Sequence, residues 1–244
     1  MCIFNSETLA KKTKILSAWV QPGRQLLAYQ NQVKTGPEYS VMLLPLPTTD
    51  LGTIAYHDTT GYSNFLDDIA EKIVKSEGWR SAEVHGLVRV GQYQLLLTSP
   101  VEVLSELEFI GAPIPKWMSK MIKSYGNWSW LLCIMDPNSE MKSQPLMLEF
   151  DSVIPDLYYP MMEVHGPDNP EPTVNRDHVL IVGDVAEKNP VSSGTQYPGY
   201  PYPEMKFFGM SVFSRGANGD AFASLSPRDT DATYYDFRIE SKYE

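Results

Sequence analysis

The residue with the most distinctive potential chemistry is Cys2, which directly follows Met1 at the start of the sequence. After removal of Met1, the thiol of Cys2 would lie beside a free α-amine, and that amine can act as the base that activates the thiol. N-terminal nucleophile hydrolases work in this way. Arg24, at the head of a predicted strand, supplies a guanidinium that would bind a substrate carboxylate. Cys2 and Arg24 are therefore the candidate catalytic residues.

The surroundings of Cys2 support two interpretations. The order of a cysteine, a short strand, a turn and a second strand resembles the opening of cysteine amidohydrolases and class II glutamine amidotransferases. Those amidotransferases usually have a glycine after the cysteine, whereas Ile3 follows Cys2 here, and no Asn-Gly oxyanion pair occurs at the expected place. The alternative is that Cys2 is a small apolar residue that starts an edge strand.

A second candidate site consists of histidine and aspartate side chains around the loop between residues 166 and 177. His165 and His178 flank this loop, and Asp168 and Asp177 stand beside them. If the flanking strands pair, these groups could hold a divalent metal ion, with His165, Asp177 and His178 as the ligands. The alternative is that both aspartates form loop turns and both histidines end strands. No cofactor is predicted, since neither GxxxxGK[ST] nor GxGxxG occurs.

A third candidate is a surface of aromatic side chains. Tyr197, Tyr200 and Tyr202 lie in a proline-rich stretch, and Tyr234 and Tyr235 lie near the end of the sequence. Tyrosine is favoured at interfaces because it gives a large contact area at a low cost in conformational entropy. These tyrosines therefore predict an interaction surface. The alternative is a tail that packs on its own domain.

The charge balance narrows the classes of partner. The 244 residues include 20 Lys and Arg against 30 Asp and Glu, a net charge of −10. This excess of acid argues against binding to nucleic acid and against binding to an anionic membrane surface. The first residues lack the order of a signal peptide and no uncharged stretch is long enough to span a bilayer, so we predict a cytoplasmic location. Cys133 is then expected to be a buried, reduced thiol.

The elements that must position these residues are mainly strands. Pro22 and Gly23 predict a type II turn between strands at Lys14–Val20 and Arg24–Val33, because glycine supplies the positive φ that this turn needs. Apolar periodicity and capping signals predict three short helices, over Ser63 to Gly78, Pro100 to Glu108, and Pro115 to Gly126.

Short apolar or alternating runs, bounded by proline, glycine and aspartate, predict the other strands. Trp128–Met135 has apolar residues on both sides, which is typical of a central strand covered on two faces. The remaining predicted strands are Tyr39–Leu46, Val84–Val90, Gln92–Thr98, Pro145–Phe150, Asp156–Val164, His178–Val182, Phe207–Ser214 and Thr233–Glu240. The predicted fold class is α+β, with mainly antiparallel sheets, about three short helices and an irregular C-terminal region rich in proline and tyrosine.

The domain organisation follows from where proline accumulates. We predict one α+β globular domain over residues 1–184, a proline-rich loop or linker over residues 185–204, and a β-rich C-terminal extension over residues 205–244. The extension is expected to pack back on the domain or on a partner.

Five short sequence segments carry a resemblance to a known family. They are Gly23–Gln30, Val41–Pro47, Gly61–Asp68, Val88–Tyr93, and the pairing of Val164-His165 with Arg176-Asp177-His178. In their order and spacing, over about residues 15–182, the sequence resembles a family of hypothetical, mostly bacterial proteins. The resemblance implies a shared fold and no particular activity.

Two classes of function remain. The first is a non-catalytic binding or assembly protein, with a protein partner or a homo-oligomer, that uses the aromatic, proline-rich C-terminal region as its interaction surface. It explains the absence of a complete catalytic motif. The second is an N-terminal-nucleophile cysteine amidohydrolase with Cys2 as nucleophile. We favour the binding protein.

Overall fold

The computed structural model describes residues 2–76, 94–142, 144–184, 201–202, 205–212, 215–226 and 234–241. Within these ranges the chain forms three α-helices, numbered α1 to α3, and seventeen strands, numbered β1 to β17 along the chain. Most strand pairs are antiparallel, so the predicted α+β class is confirmed. No helix in this part of the chain is long and apolar enough to cross a membrane.

The larger sheet contains the hairpin predicted around Pro22 and Gly23. Gly23 has a φ of +78°, which is the conformation that the type II turn requires. The strands of this sheet, in spatial order, are Lys206–Val212 (β14), His178–Asp184 (β13), Thr8–Gln21 (β2), Arg24–Thr35 (β3), Leu146–Asp151 (β9) and Ala55–His57 (β5), and Glu140–Lys142 (β8) also pairs with β3. β13 runs parallel to β2, whereas the other neighbours are antiparallel.

A second sheet has five strands. In spatial order they are Glu163–His165 (β11), Cys2–Phe4 (β1), Ser40–Leu46 (β4), Ser129–Met135 (β7) and Gln94–Thr98 (β6). β7 lies between two neighbours and is buried along almost its whole length, which confirms the prediction of a central strand covered on both faces. The predicted strand Val84–Val90 lies outside the described residues.

Two smaller sheets join segments that are far apart in the sequence. One contains Leu157–Tyr159 (β10), Asp220–Ser226 (β16) and Tyr234–Glu240 (β17), and the other pairs Thr173–Asn175 (β12) with Arg215–Ala217 (β15). The single strand predicted over Asp156–Val164 is wrong. The chain forms β10 and β11 there, in different sheets, because Pro160 between them cannot continue a ladder of hydrogen bonds.

The helices cover the sheets as their apolar periodicity predicts. They are Phe65–Ser76 (α1), Val103–Phe109 (α2) and Met118–Ser124 (α3). α2 begins later than the predicted Pro100, because the carbonyl of Ser99 accepts a hydrogen bond of 3.1 Å from the amide of Glu102 and closes a turn before the helix.

The core has two parts, one on each face of the larger sheet. On β3, Leu26 and Ala28 pack with α1, and the alternating residues Leu27 and Tyr29 belong to the main core with the five-stranded sheet, α2 and α3. Because both faces are buried, β3 consists almost entirely of residues that are inaccessible to solvent.

The C-terminal strands contribute to the same sheets as the rest of the chain. β14 pairs with β13 over seven residues, and β16 pairs with β10. Ala221, Phe222 and Ala223 of β16 are part of the main core. Of the proline-rich region predicted over residues 185–204, only residues 201 and 202 lie within the described ranges.

Candidate functional site

Cys2 lies at the start of β1, which is an interior strand. β1 pairs with β4 on one side and runs parallel to β11 on the other, so the interpretation of Cys2 as the start of an edge strand is wrong. Glu163 of β11 is the residue in register with Cys2. The parallel pairing joins positions that are 161 apart in number, which no local pattern in the sequence could reveal.

Arg24 lies at the start of β3, in the other sheet, and its guanidinium is engaged by carboxylates of this chain. Its Nε donates to Glu149 Oε2 at 2.9 Å, and its Nη1 donates to Asp151 Oδ1 at 2.8 Å and to the carbonyl of Thr53 at 3.1 Å. Burial opposes the charged form, but the two carboxylates outweigh it and raise the pKa of Arg24 above its ordinary value. Arg24 and Cys2 thus lie at the starts of strands in different sheets.

Glu149 is the centre of a cluster that also contains Arg24, His57, Asp151 and Tyr202, called here the Glu149 cluster. His57 Nε2 lies 2.6 Å from Glu149 Oε1, and the hydroxyl of Tyr202 donates to the same oxygen. Burial alone would raise the pKa of Glu149, but the hydrogen bonds from Tyr202, Arg24 and His57 outweigh it, and the pKa is lowered. Burial, and then the bond to Glu149, raises the pKa of Tyr202.

The Glu149 cluster is a network of ion pairs and hydrogen bonds that holds Tyr202, from the proline-rich region, against β9 and β5. Tyr202 also packs edge-on against the imidazole of His57, with ring centroids 6.5 Å apart. Sequence reasoning did not find His57 and Glu149 as partners. The sequence offered one signal, an acidic residue inside the apolar run Leu146–Phe150. A buried strand carries such a residue only when its charge is paired.

The histidines and aspartates proposed as metal ligands have separate partners. His165 Nδ1 lies 2.7 Å from the carbonyl of Thr8, Asp177 accepts the backbone amide of Lys12 at 2.7 Å, and His178 Nε2 lies 3.1 Å from a carboxylate oxygen of Glu163. Asp168 is exposed. Across the ranges that the structure describes, no three His, Cys, Asp or Glu side chains are placed to hold a metal ion.

Asp220, at the start of β16, is the most enclosed acidic group among the described residues. Its Oδ2 accepts the hydroxyls of Tyr125 at 2.6 Å and Tyr158 at 3.1 Å, and its Oδ1 accepts the amides of Met161 at 2.8 Å and Met162 at 3.0 Å. Burial raises the pKa of Asp220, and the hydrogen bonds offset only part of that effect. All four hydrogen-bond sites of a carboxylate are thus used.

A second acid–base pair, beside β1, joins the buried His178 to the half-buried Glu163. Burial would raise the pKa of Glu163, but the hydrogen bond and the charge of His178 outweigh it, so the pKa is lowered. Asn218 fixes the backbone of Glu163, since its Oδ1 accepts the Glu163 amide at 2.8 Å and its Nδ2 donates to the Glu163 carbonyl at 2.7 Å. These residues hold β11 in place next to Cys2.

Three of the five tyrosines proposed as an interaction surface lie within the described residues. Tyr202 belongs to the Glu149 cluster and is half-buried. Tyr234 and Tyr235 lie on β17, in register with Ser226 and Leu225 of β16. Tyr197 and Tyr200 lie outside the described residues. The prediction of a surface that joins all five tyrosines therefore stays a prediction.

Cys133 lies in β7 with no exposed surface, and burial raises the pKa of its thiol. Because the thiolate is the reactive form, we expect iodoacetamide at neutral pH to alkylate Cys133 about a hundredfold or more slowly in the folded protein than in denaturant. Mass spectrometry of peptides measures this directly, and any labelling of the folded protein that Cys2→Ala removes then reports on Cys2. Equal rates of alkylation of Cys133 in the two states would contradict the prediction.

Comparison with known proteins adds a fold relationship. No protein-family model matches the sequence, and no curated protein matches it. A crystal structure of baculovirus P35 superposes with a TM-score of 0.52, at 12% identity, over 97% of this chain and 88% of that chain. The chain has a P35-like fold. The resemblance to a family of hypothetical bacterial proteins stays a prediction.

Other P35 structures also match, with lower scores. The caspase-8/P35 complex matches at 12% identity over 92% of this chain and 84% of that chain, with a TM-score of 0.44. A mutated baculovirus P35 after caspase cleavage matches at 14% identity over 93% and 86%, also with a TM-score of 0.44. The likeness to the first of these structures, at 12% identity, establishes the fold alone.

Proposed function

We propose that this chain is a protein-binding protein whose partner is a protease of the caspase class. The observation that carries the proposal is the P35-like fold, which extends over 97% of this chain and 88% of P35. P35 itself forms a complex with caspase-8 and undergoes caspase cleavage. A fold does not by itself specify a function, so the proposal also has to agree with the chemistry of the surface.

The state of the candidate catalytic groups supports binding over catalysis. Arg24, which the amidohydrolase alternative needs for its substrate, donates its hydrogen bonds to Glu149, Asp151 and Thr53. A substrate carboxylate would have to displace those groups and leave a buried Glu149 without its cation. Such a loss is costly in a partly buried site.

Exposed apolar side chains also support binding. Val101, two residues before α2, and Phe109, the last residue of α2, are 88% and 87% exposed. These side chains are available to a partner, and aromatic residues supply much of the binding energy in protein interfaces. We assign α2 and its flanks to the contact with the partner.

The test is direct binding to recombinant caspase-8. We expect co-elution on size exclusion, slower cleavage of a fluorogenic peptide by the protease, and weaker binding of Phe109→Ala by about tenfold or more. Val153→Ala is the matched control. Val153 is also an exposed apolar residue, at 53%, and it lies between β9 and β10, more than 40 positions after α2 in the sequence. The proposal would be refuted if caspase-8 and an executioner caspase each eluted separately from this protein and each kept full peptidase activity in its presence.

A further inference from the structure

We propose that a pocket beside the end of β1 binds a lysine or arginine side chain of a protein partner. This inference deepens the proposed function, on which the protein nature of the partner rests. The pocket has a volume of about 290 Å³, and its lining includes Ser6, Glu7, Pro37, Glu38, Ile114 and Pro167. We call it the Glu7 pocket.

The walls of the Glu7 pocket come from segments that are fixed to one another. Asn5 accepts the amide of Val41 at 2.7 Å and donates to the carbonyl of Pro113 at 3.0 Å. The amide of Gly36 donates to the carbonyl of Glu7 at 3.2 Å. Several wall residues are prolines, whose φ is fixed by the ring. The pocket is therefore formed before a ligand arrives, which reduces the entropy lost on binding.

The charge of the pocket favours a cation. Glu7 and Glu38 line the pocket and are exposed to solvent, and neither makes an ion pair with another described residue. The prolines and Ile114 offer apolar surface beside these carboxylates. Lysine and arginine match this combination, because an apolar stem carries their charged end group. An acidic or neutral side chain would leave both carboxylates without a partner.

An unsatisfied hydroxyl provides a second, independent indication of a ligand. Ser6 lines the pocket and is only 5% exposed, and its Oγ has no hydrogen-bond partner in the described part of the chain. Buried polar groups are nearly always hydrogen-bonded, so an orphan of this kind requires an explanation. Because this oxygen has almost no accessible surface, it would accept from an ammonium or guanidinium N–H in the pocket after a rotation of the Ser6 side chain.

The test uses nitrogen-15 NMR with two small probes. Nα-acetyl-arginine methylamide carries the cation, and Nα-acetyl-citrulline methylamide has nearly the same shape without the charge. We expect the arginine probe, at millimolar concentration, to shift the amides of Ser6, Glu7, Gly36, Glu38 and Ile114, and the citrulline probe to leave them unchanged. The Glu7→Gln/Glu38→Gln double variant should bind the arginine probe about tenfold more weakly.

Glu171→Gln is the matched control, since it removes one exposed carboxylate from the loop between β11 and β12 without altering the pocket lining. Its affinity for the arginine probe should equal that of the wild type, and the spectra of all variants report whether they remain folded. The proposal that this pocket binds a cationic side chain would be overturned by equal shifts with the citrulline probe, by shifts confined to other residues, or by no shifts at all. Caspase-8 binding measured on the same samples separates the two proposals, because either can fail while the other holds.

Discussion

Replacing Asp220 with alanine is expected to lower the free energy of unfolding by about 4 kcal/mol, because two phenols and two backbone amides lose their acceptor inside the core. Asp220→Asn should cost about half as much. Its amide oxygen still accepts from the amides of Met161 and Met162, while the acceptor for the two tyrosines is lost.

Urea denaturation monitored by tryptophan fluorescence measures this effect. Asp168→Ala is the control, because it removes a carboxylate of the same kind from an exposed position. We expect Asp168→Ala to change the free energy of unfolding by less than about 0.5 kcal/mol. A loss of under about 1 kcal/mol for Asp220→Ala would mean that the four donors find other acceptors.

Glu149→Gln is expected to lower the free energy of unfolding at pH 7 by about 2 kcal/mol, because the side chain amide cannot pair with Arg24 as a carboxylate does. The folded state lowers the pKa of Glu149 relative to its ordinary value of 4.5. The stability contributed by this carboxylate is therefore present above pH 4.5 and is lost as the pH falls through the lowered pKa.

Denaturation curves collected at several pH values test this prediction. The difference in stability between wild type and Glu149→Gln should be constant near neutral pH and should shrink as the solution is acidified below pH 4.5. Glu108→Gln, which alters an exposed glutamate on α2, should follow the wild-type pH profile. A difference that widens on acidification would show that the Glu149 cluster does not stabilise the ionised carboxylate.

The two carboxylates have the same role in the fold, although one lies in the core and the other near the surface. Asp220 ties β16 to the backbone that follows β10, and Glu149 ties Tyr202 to the larger sheet. Each therefore connects a late segment of the chain to segments that precede residue 184. A partner that contacts the C-terminal region would act on a surface held by these contacts.

Local elements were predicted well because their signals are local. The turn at Pro22-Gly23 needs only a proline, a glycine and two apolar runs, and the periodicity of Phe65, Leu66 and Ile69 defines a helix face without reference to its partner. The break at Pro160 was missed because a proline interrupts an interior strand but is tolerated in an edge strand, and the sequence does not show which of the two it occupies. Only the pairing partners distinguish these cases.

The candidate sites depend on pairings between distant residues, which no local signal in the sequence reveals. Arg24 is predicted to bind a substrate carboxylate, yet Glu149, which lies directly across the ladder from Leu26, accepts a hydrogen bond from its guanidinium. His178 was expected to share a metal with His165, yet the fold places Glu163 against it. Residue type indicated which groups were chemically capable, and it could not indicate which neighbour would satisfy them.

The sequence by itself determined the α+β fold class, the mainly antiparallel strands, the type II hairpin and the three short helices. It could do so because propensity and periodicity act over a few residues. The tertiary structure decided that Cys2 lies in an interior strand, that Arg24 is held by carboxylates and that Asp220 is buried with four donors. Those outcomes depend on register between strands, and register is set by the packing of the whole core.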